Sequence, residues 1–346
     1  MFTRHRPIGI YRSIVQSNHL DLTQGDGVTM GIFTVIRDHA AIASGNFASM
    51  FKDVEIPPLP AAVANLLEEL NKPEPNIARL ETIITTEPEI AARILRTVNS
   101  SLYALKSRVL SIRHAIALLG IKQIRTLLLS YALRSAIPKP DAELFDHEAY
   151  WADTLLRSLL ARSLAAKHRH GEEEEAFTAM LVADIALPVL LSTWAKYYRP
   201  IVEQWRSSEL HLSEIERQDF GWDHAQAGAW ILQSWSFPDE FICLAGTHNL
   251  SPEQLQELGL ADTVALPIAI AALVPSILKS DPTRSARLVE SVNQWLELSE
   301  SSWMSVLEEV ENSFTIISEQ FNLSADYTKQ ALTSLAEIAP DRGDES

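Results

Sequence analysis

The residues of this chain able to do chemistry are a few acids and histidines set among apolar neighbours. Asp184 stands in Leu181-Val182-Ala183-Asp184-Ile185-Ala186, within an apolar run that continues to Leu191. A carboxylate buried in such a run must be paired or hydrogen-bonded, because an uncompensated interior charge is costly. Two readings are open for it. It is an acid satisfied by a neighbouring helix, with His224 and a basic segment as candidate partners, or part of a residual pocket for an anion or cation. His224 follows Asp223, which is placed to cap a helix running to Trp235. Such a helix-start imidazole either bonds backbone or an acid, or serves as a metal ligand. His168 and His170 are two residues apart, and side chains at that spacing do not face each other on a helix. Cys243 lies in Phe241-Ile242-Cys243-Leu244-Ala245 and reads as a small buried hydrophobe. Gly25-Asp26-Gly27 has no strand-to-helix context, so it is no phosphate loop.

The elements that must hold these residues are helical by period. Leu59, Val63, Leu66, Leu67 and Leu70 recur at helix-face spacing. Pro73 and Pro75 stop that helix. Asn76 can cap the next, and Thr86 with Glu89 forms a candidate capping box ahead of Ile90, Ile94, Leu95 and Val98. Ser111 starts a helix that Gly120 ends, and Ile121 to Leu133 forms another. A long helix runs from about Asp146 to Lys167-His168-Arg169-His170, where Gly171 suits the C-terminal cap. After Leu250, Ala261 to Leu278 splits at Pro267 and Pro275, Leu296 to Phe321 reads as two amphipathic segments, and Ala325 to Ile338 as a terminal helix. Phe33-Thr34-Val35-Ile36 is a short, isolated β-like run. Residues 1 to 30 lack helical period and are expected to pack little, and Met30 is an alternative start to Met1. The expected fold class is all-α, with an N-terminal extension at 1–50, a domain at 51–250, and a helical C-terminal subdomain with polar tail at 251–346.

Several motifs stand in a telling order: Ile56-Pro57-Pro58-Leu59-Pro60, Glu87-Pro88-Glu89-Ile90, Val98-Asn99-Ser100-Ser101-Leu102-Tyr103, Ser111 to Gly120, Trp151, Ala183-Asp184, Gly221-Trp222-Asp223-His224-Ala225-Gln226-Ala227-Gly228, and Trp235-Ser236-Phe237-Pro238. Together they resemble the HD-related output domain, HDOD, over roughly Phe51 to Leu250. The resemblance implies an all-helical, non-catalytic relative of the HD and HD-GYP metal-dependent phosphohydrolases. Those enzymes gather imidazoles and carboxylates on metals that activate water and neutralise phosphate charge. The family pattern takes a His from an early helix and a His-Asp doublet from a second. Here the first slot falls near Asp153, a candidate carboxylate substitute, and the doublet is Ala183-Asp184. A methyl group cannot bind a metal. His248-Asn249 stands where relatives carry a His pair, so half of that feature is missing too. The expectation is therefore no catalytic residue, no metal and no cofactor. Asn99, Ser100, Asp184, His224 and Gly228 remain as family-motif positions. Asn99 suits a left-handed helix end and Ser100 a local bond, with a recognition surface the competing reading, and Gly228 fits close helix–helix approach.

Composition bounds the partners. The chain has 346 residues, 47% of them hydrophobic, 21% charged, and a net charge of −16. The charge opposes nonspecific binding to nucleic acid or anionic lipid. One cysteine fits a reducing compartment, and the apolar runs read as too short to span a bilayer, so a cytoplasmic protein without a membrane partner is expected. Ile90 to Pro140 contains no acid but nine Lys and Arg. Arg93, Arg96, Arg108, Arg113, Lys122 and Arg125 are candidates for a surface that meets an acidic signalling protein or an anion, against the plainer reading of scattered solvated charges. Three functions compete: a bacterial regulatory module acting through protein–protein contacts, a sensor binding a nucleotide or second messenger in the degenerate pocket, and a surviving phosphohydrolase.

Overall fold

A computed structural model of the chain describes residues 56–338, apart from 60, 73, 169, 170, 280 and 325. The expectations for the N-terminal extension, the β-like run and the polar tail lie outside the described residues. Everything regular within them is helical. The first group is α1 (Ala61–Leu70), α2 (Ile77–Thr85), α3 (Pro88–Val98) and α4 (Ile112–Ala136). Two long central helices follow, α5 (His147–His168) and α6 (Glu173–Ala183). The chain then makes α7 (Ala186–Thr193), α8 (Ala195–Ser207), α9 (Leu212–Asp219), α10 (His224–Ser234), α11 (Asp239–Thr247) and α12 (Pro252–Glu257). It ends with α13 (Ala265–Ala271), α14 (Pro282–Leu296), α15 (Glu300–Gln320) and α16 (Asp326–Glu337).

Local chemistry sets most of these boundaries. Asn76 accepts from the Arg79 amide and Ser111 from the His114 amide, each satisfying a first-turn donor. Gly120, with φ 82° and ψ 165°, interrupts α4 where the sequence placed a helix end, and Gly171 at φ 98° follows α5. Two expectations need correction. Thr86 does not open α3. Its hydroxyl donates back to the Ile83 carbonyl at the end of α2, while Glu89 pairs with Arg93. Leu296 to Phe321 is not two segments either. Glu297 takes the left-handed conformation (φ 51°) and ends α14, Ser299 caps α15, and one helix then runs to Gln320.

The core forms around α5 and α6, whose residues are buried on nearly every side. A helix apolar all round belongs in an interior. α5 packs against α6, α13 and α15, and α6 also meets α11 and α4. The C-terminal helices share this interior. Trp303 and Phe321 are fully buried, and the contiguous apolar cluster extends from Val63 to Leu335. By length and composition, Ile112–Ala136 and Glu173–Thr193 are apolar enough to cross a bilayer, contrary to the sequence reading, though 83% of the second one's apolar window is buried in the fold. The break after Ala183 places Asp184 at the centre of this packing.

Candidate functional site

Asp184 caps the C-terminus of α6 with φ −92° and ψ 17°. It is 5% exposed. Its Oδ2 accepts from Arg157 Nη1 at 2.8 Å, and its Oδ1 faces His248 Nε2 at 3.2 Å and His224 Nε2 at 3.4 Å. Burial pushes the Asp184 carboxyl up. The bonds to His224 and His248, with Arg157, outweigh that and hold it well below the usual carboxylate range. Arg157 comes from α5, one turn beyond Asp153. Its guanidinium also donates to the Val274 carbonyl through Nε (3.2 Å) and Nη2 (2.9 Å). One side chain thus ties the α6 terminus to the segment that leads into α14.

The two imidazoles are oriented from behind. Asp223 caps α10 by accepting from the Ala225 and Gln226 amides, and Gln226 returns a bond to the Asp223 amide. That places His224 at the first helical position. Its Nδ1 lies 2.6 Å from Glu216 Oε2, and its backbone amide donates to the same oxygen at 2.8 Å. Glu216 is fully buried on α9 and accepts from the Tyr198 hydroxyl on its other oxygen. Burial disfavours the charged His224 ring, but Glu216 and Asp184 overcome this and push its pKa up to about 10. The ring faces an acid on each side, Glu216 at Nδ1 and Asp184 at Nε2. Asn249 Nδ2 stands 2.9 Å from the same Nε2. His248 donates from Nδ1 to the Ala245 carbonyl at 2.6 Å, which turns Nε2 toward Asp184.

Asp184, His224 and His248 bring three ligand-type atoms within 4.8 Å of one another. Glu216 and the Ala245 carbonyl hold the rings as outer partners hold metal-bound histidines. The set nevertheless fits a catalytic metal poorly. Ala183, where the family resemblance places the doublet imidazole, is fully buried and offers only a methyl group. Asp153, the candidate substitute, spends its oxygens on Ser276 Oγ (2.6 Å) and the Ile277 amide (2.9 Å). The remaining charge of Asp184 meets a guanidinium, and a hydrolytic metal needs open coordination positions and deprotonated ligands.

The other positions from the sequence lie apart. Asn99 does not adopt a left-handed backbone. With φ −86° and ψ 3° it clamps a loop, donating to Leu95 O (2.7 Å) and Val109 O (2.8 Å) and accepting from the Val109 amide (2.7 Å). Ser100 donates to Thr97 O at 2.6 Å. Gly228 faces the end of α6, where a Cβ would stand 3.2 Å from the Ala183 carbonyl oxygen. The basic segment does not reach Asp184. Arg93 pairs with Glu89, Arg113 with Glu81, Lys122 and Arg125 with Glu175, and Arg96 bonds Gln320.

Arg157, Glu216 and His248 are the site residues that sequence reasoning missed. Arg157 had one usable signal, its i+4 spacing from Asp153 on the same helix face. Glu216 had none, because its burial follows from how α9 docks under α10. His248 read as half of a lost pair, whereas the turn after α11 brings it beside His224 with ring centroids 5.5 Å apart.

Comparison with known proteins agrees with this architecture. The HDOD domain profile matches residues 56–250. The fold is similar to that of an HDOD domain protein from Geobacter sulfurreducens, with TM-score 0.58 and 19% identity, covering 90% of this chain and 99% of that one. It is also similar to a candidate metal-dependent phosphohydrolase from Shewanella amazonensis SB2B, with TM-score 0.59 and 22% identity over 82% and 98% of the two chains. A curated relative, an uncharacterized protein of Treponema pallidum (strain Nichols), is 22% identical over 210 residues. That match takes in 59% of this chain and spans about two-fifths (40%) of the relative's length.

Proposed function

The chain belongs to the HDOD domain family, and from that premise we propose that it is a regulatory protein of bacterial signalling that acts by binding other proteins and does no chemistry at its His–Asp centre. The observation that carries this reading is the 2.8 Å contact between Arg157 and Asp184. In a phosphohydrolase the cation beside this carboxylate must be a metal with water on it. Here the cation is part of the chain, and its remaining donors go to Val274 O. The centre becomes a charged joint between the α5–α6 core and the C-terminal helices.

An acidic signalling partner would dock on the part of the basic stretch left without an acid. Asn99 and Ser100 fix the loop that carries Lys106 and Arg108, and Leu110 beside them is 75% exposed. Among the described residues, neither Lys106 nor Arg108 forms an ion pair within this chain. Charges placed so speed and orient encounter more than they add affinity. The catalytic question is tested by incubating the full chain and Asp184→Asn with manganese and a bis-aryl phosphodiester or cyclic dinucleotides. We expect equal, background release from both. Turnover that disappears in Asp184→Asn contradicts the proposal.

A further inference from the structure

Beside the centre lies a cavity of about 100 Å³, walled by α5, α7, α8 and the segment from Ser276 into α14. It shares His211, Lys279, Asp281 and Arg284 with a polar cleft of about 820 Å³ that His248 and Asn249 border on another side. Phe145, Leu191, Val202 and Trp205 give the cavity an apolar wall.

The acids on the cavity wall are already satisfied. Asp184 is held by Arg157, Asp153 accepts from Ser276 and the Ile277 amide, and Asp281 caps α14 by accepting from the Arg284 amide. The cations are not matched in the same way. Arg284 donates to the carbonyls of Leu273 and Ala272, and Lys279 Nζ to those of Trp205 (2.9 Å) and Leu210 (3.1 Å). Among the described residues, no carboxylate forms an ion pair with either. Two hydroxyls on the same wall, Tyr150 and Thr154, are 6% and 1% exposed and lack a properly directed hydrogen bond. They stand one turn apart on α5, near each other but outside hydrogen-bond geometry. Buried polar atoms without partners are rare and call for an explanation. All four of these groups can donate: a guanidinium and an ammonium that meet carbonyls but no carboxylate, and two hydroxyls.

We propose that this cavity binds a small organic monoanion, a carboxylate with a short apolar tail, whose oxygens accept from Arg284 and Lys279 and from the hydroxyls of Tyr150 and Thr154. The size follows from the space. An apolar cavity of about 150 Å³ takes benzene, so this one takes roughly four heavy atoms, and the rest of a short-chain acid lies toward the adjoining cleft that shares Arg284 and Lys279. The charge follows from the wall, where a dianion would face Asp153, Asp184 and Asp281 together. Binding here goes beyond the protein-docking reading and does not depend on it.

The test is a thermal melt of the full chain with sodium butyrate, its uncharged isostere butyramide, and sodium chloride at matched ionic strength. Butyrate is expected to raise Tm saturably, by about 4 °C near a hundredfold excess over its Kd, and the other two are not. Leu191→Trp, which fills the apolar wall, and Lys279→Met, which removes a cation held by two carbonyls and the Trp205 ring, should each abolish the shift while helical circular dichroism is retained. If butyrate does no more than chloride, or if its shift persists in both variants, the site does not exist. Butyramide matching butyrate would leave an apolar hole without charge recognition and would equally overturn the proposal.

Discussion

Charged residues meet opposite fates in two parts of this molecule. Around Asp184, Arg157, His224 and Glu216 bury their charges against each other, and each charge depends on the next. Across residues 90–140 four of the basic side chains take acids from outside the stretch: Arg93 takes Glu89 one turn earlier on α3, Arg113 takes Glu81 on α2, and Lys122 and Arg125 take Glu175 on α6. The surface stretch is free of acids in the sequence but not in space. The central acid looks isolated in the sequence and meets Arg157, His224 and His248 in the fold. Linear charge density therefore says little about local potential once helices from distant parts of the chain pack together. Burial decides how much each charge is worth.

The largest effect should follow from removing Arg157. Arg157→Ala leaves Asp184 Oδ2 buried without its guanidinium and frees the Val274 carbonyl, a loss of about 3–5 kcal/mol in urea unfolding, as when one partner of a buried pair is removed. Pairing it with Asp184→Asn should recover part of the loss, because the uncompensated charge then disappears. A loss under about 1 kcal/mol for Arg157→Ala would place the centre in the same class as the surface pairs.

Next comes Gly228. Its missing side chain lets α10 approach the Ala183 carbonyl, so Gly228→Leu should overpack this contact and cost about 1–3 kcal/mol. Unchanged stability would mean that α10 can slide away and that the centre is not rigidly set.

His224 separates the regions by pH. Its pKa is raised from the ordinary 6.5 to about 10, so the folded state binds this proton more tightly than the unfolded chain. The resulting stability is fully present below about pH 6.5 and is lost as pH rises toward 10. Melts of the protein and of His224→Gln should therefore differ most near pH 6 and converge toward pH 10. A difference that grows with pH would mean the ring is neutral in the fold.

The smallest effects belong to the surface. Lys122→Glu places an acid beside Glu175, and about 0.5–1 kcal/mol should be lost at low salt and partly restored by added salt. Arg108→Glu, at a side chain that forms no ion pair among the described residues, should change stability by less than about 0.5 kcal/mol. If Arg108→Glu proved the costlier of the two, the assignment of paired and free cations would be reversed.

The helical fold was legible because periodicity and caps are local: Asn76, Ser111, Asp223 and Gly171 each act within one turn of where they stand. The family motifs located Asp184 and His224 for the same reason. The rest of the centre was not legible. Arg157 and His248 reach Asp184, and Glu216 reaches His224, from three helices or their ends spread over ninety residues, and only the packing of those helices makes them neighbours. Thr86 misled because a residue between two helices can serve the end of one or the start of the next, and a short spacer does not say which. Asn99 misled because a side chain that clamps two strands of a loop does the work otherwise done by an unusual backbone angle.

The central claim is that Arg157 supplies the positive charge that a metal supplies in the catalytic relatives. Metal content decides this most directly. The full chain would be incubated at pH 7 with a tenfold excess of zinc or manganese, passed through a desalting column and analysed by plasma mass spectrometry beside Asp184→Asn. The account predicts far less than one metal per chain, and no difference between the two proteins. One tightly retained metal per chain, lost in Asp184→Asn, would contradict it.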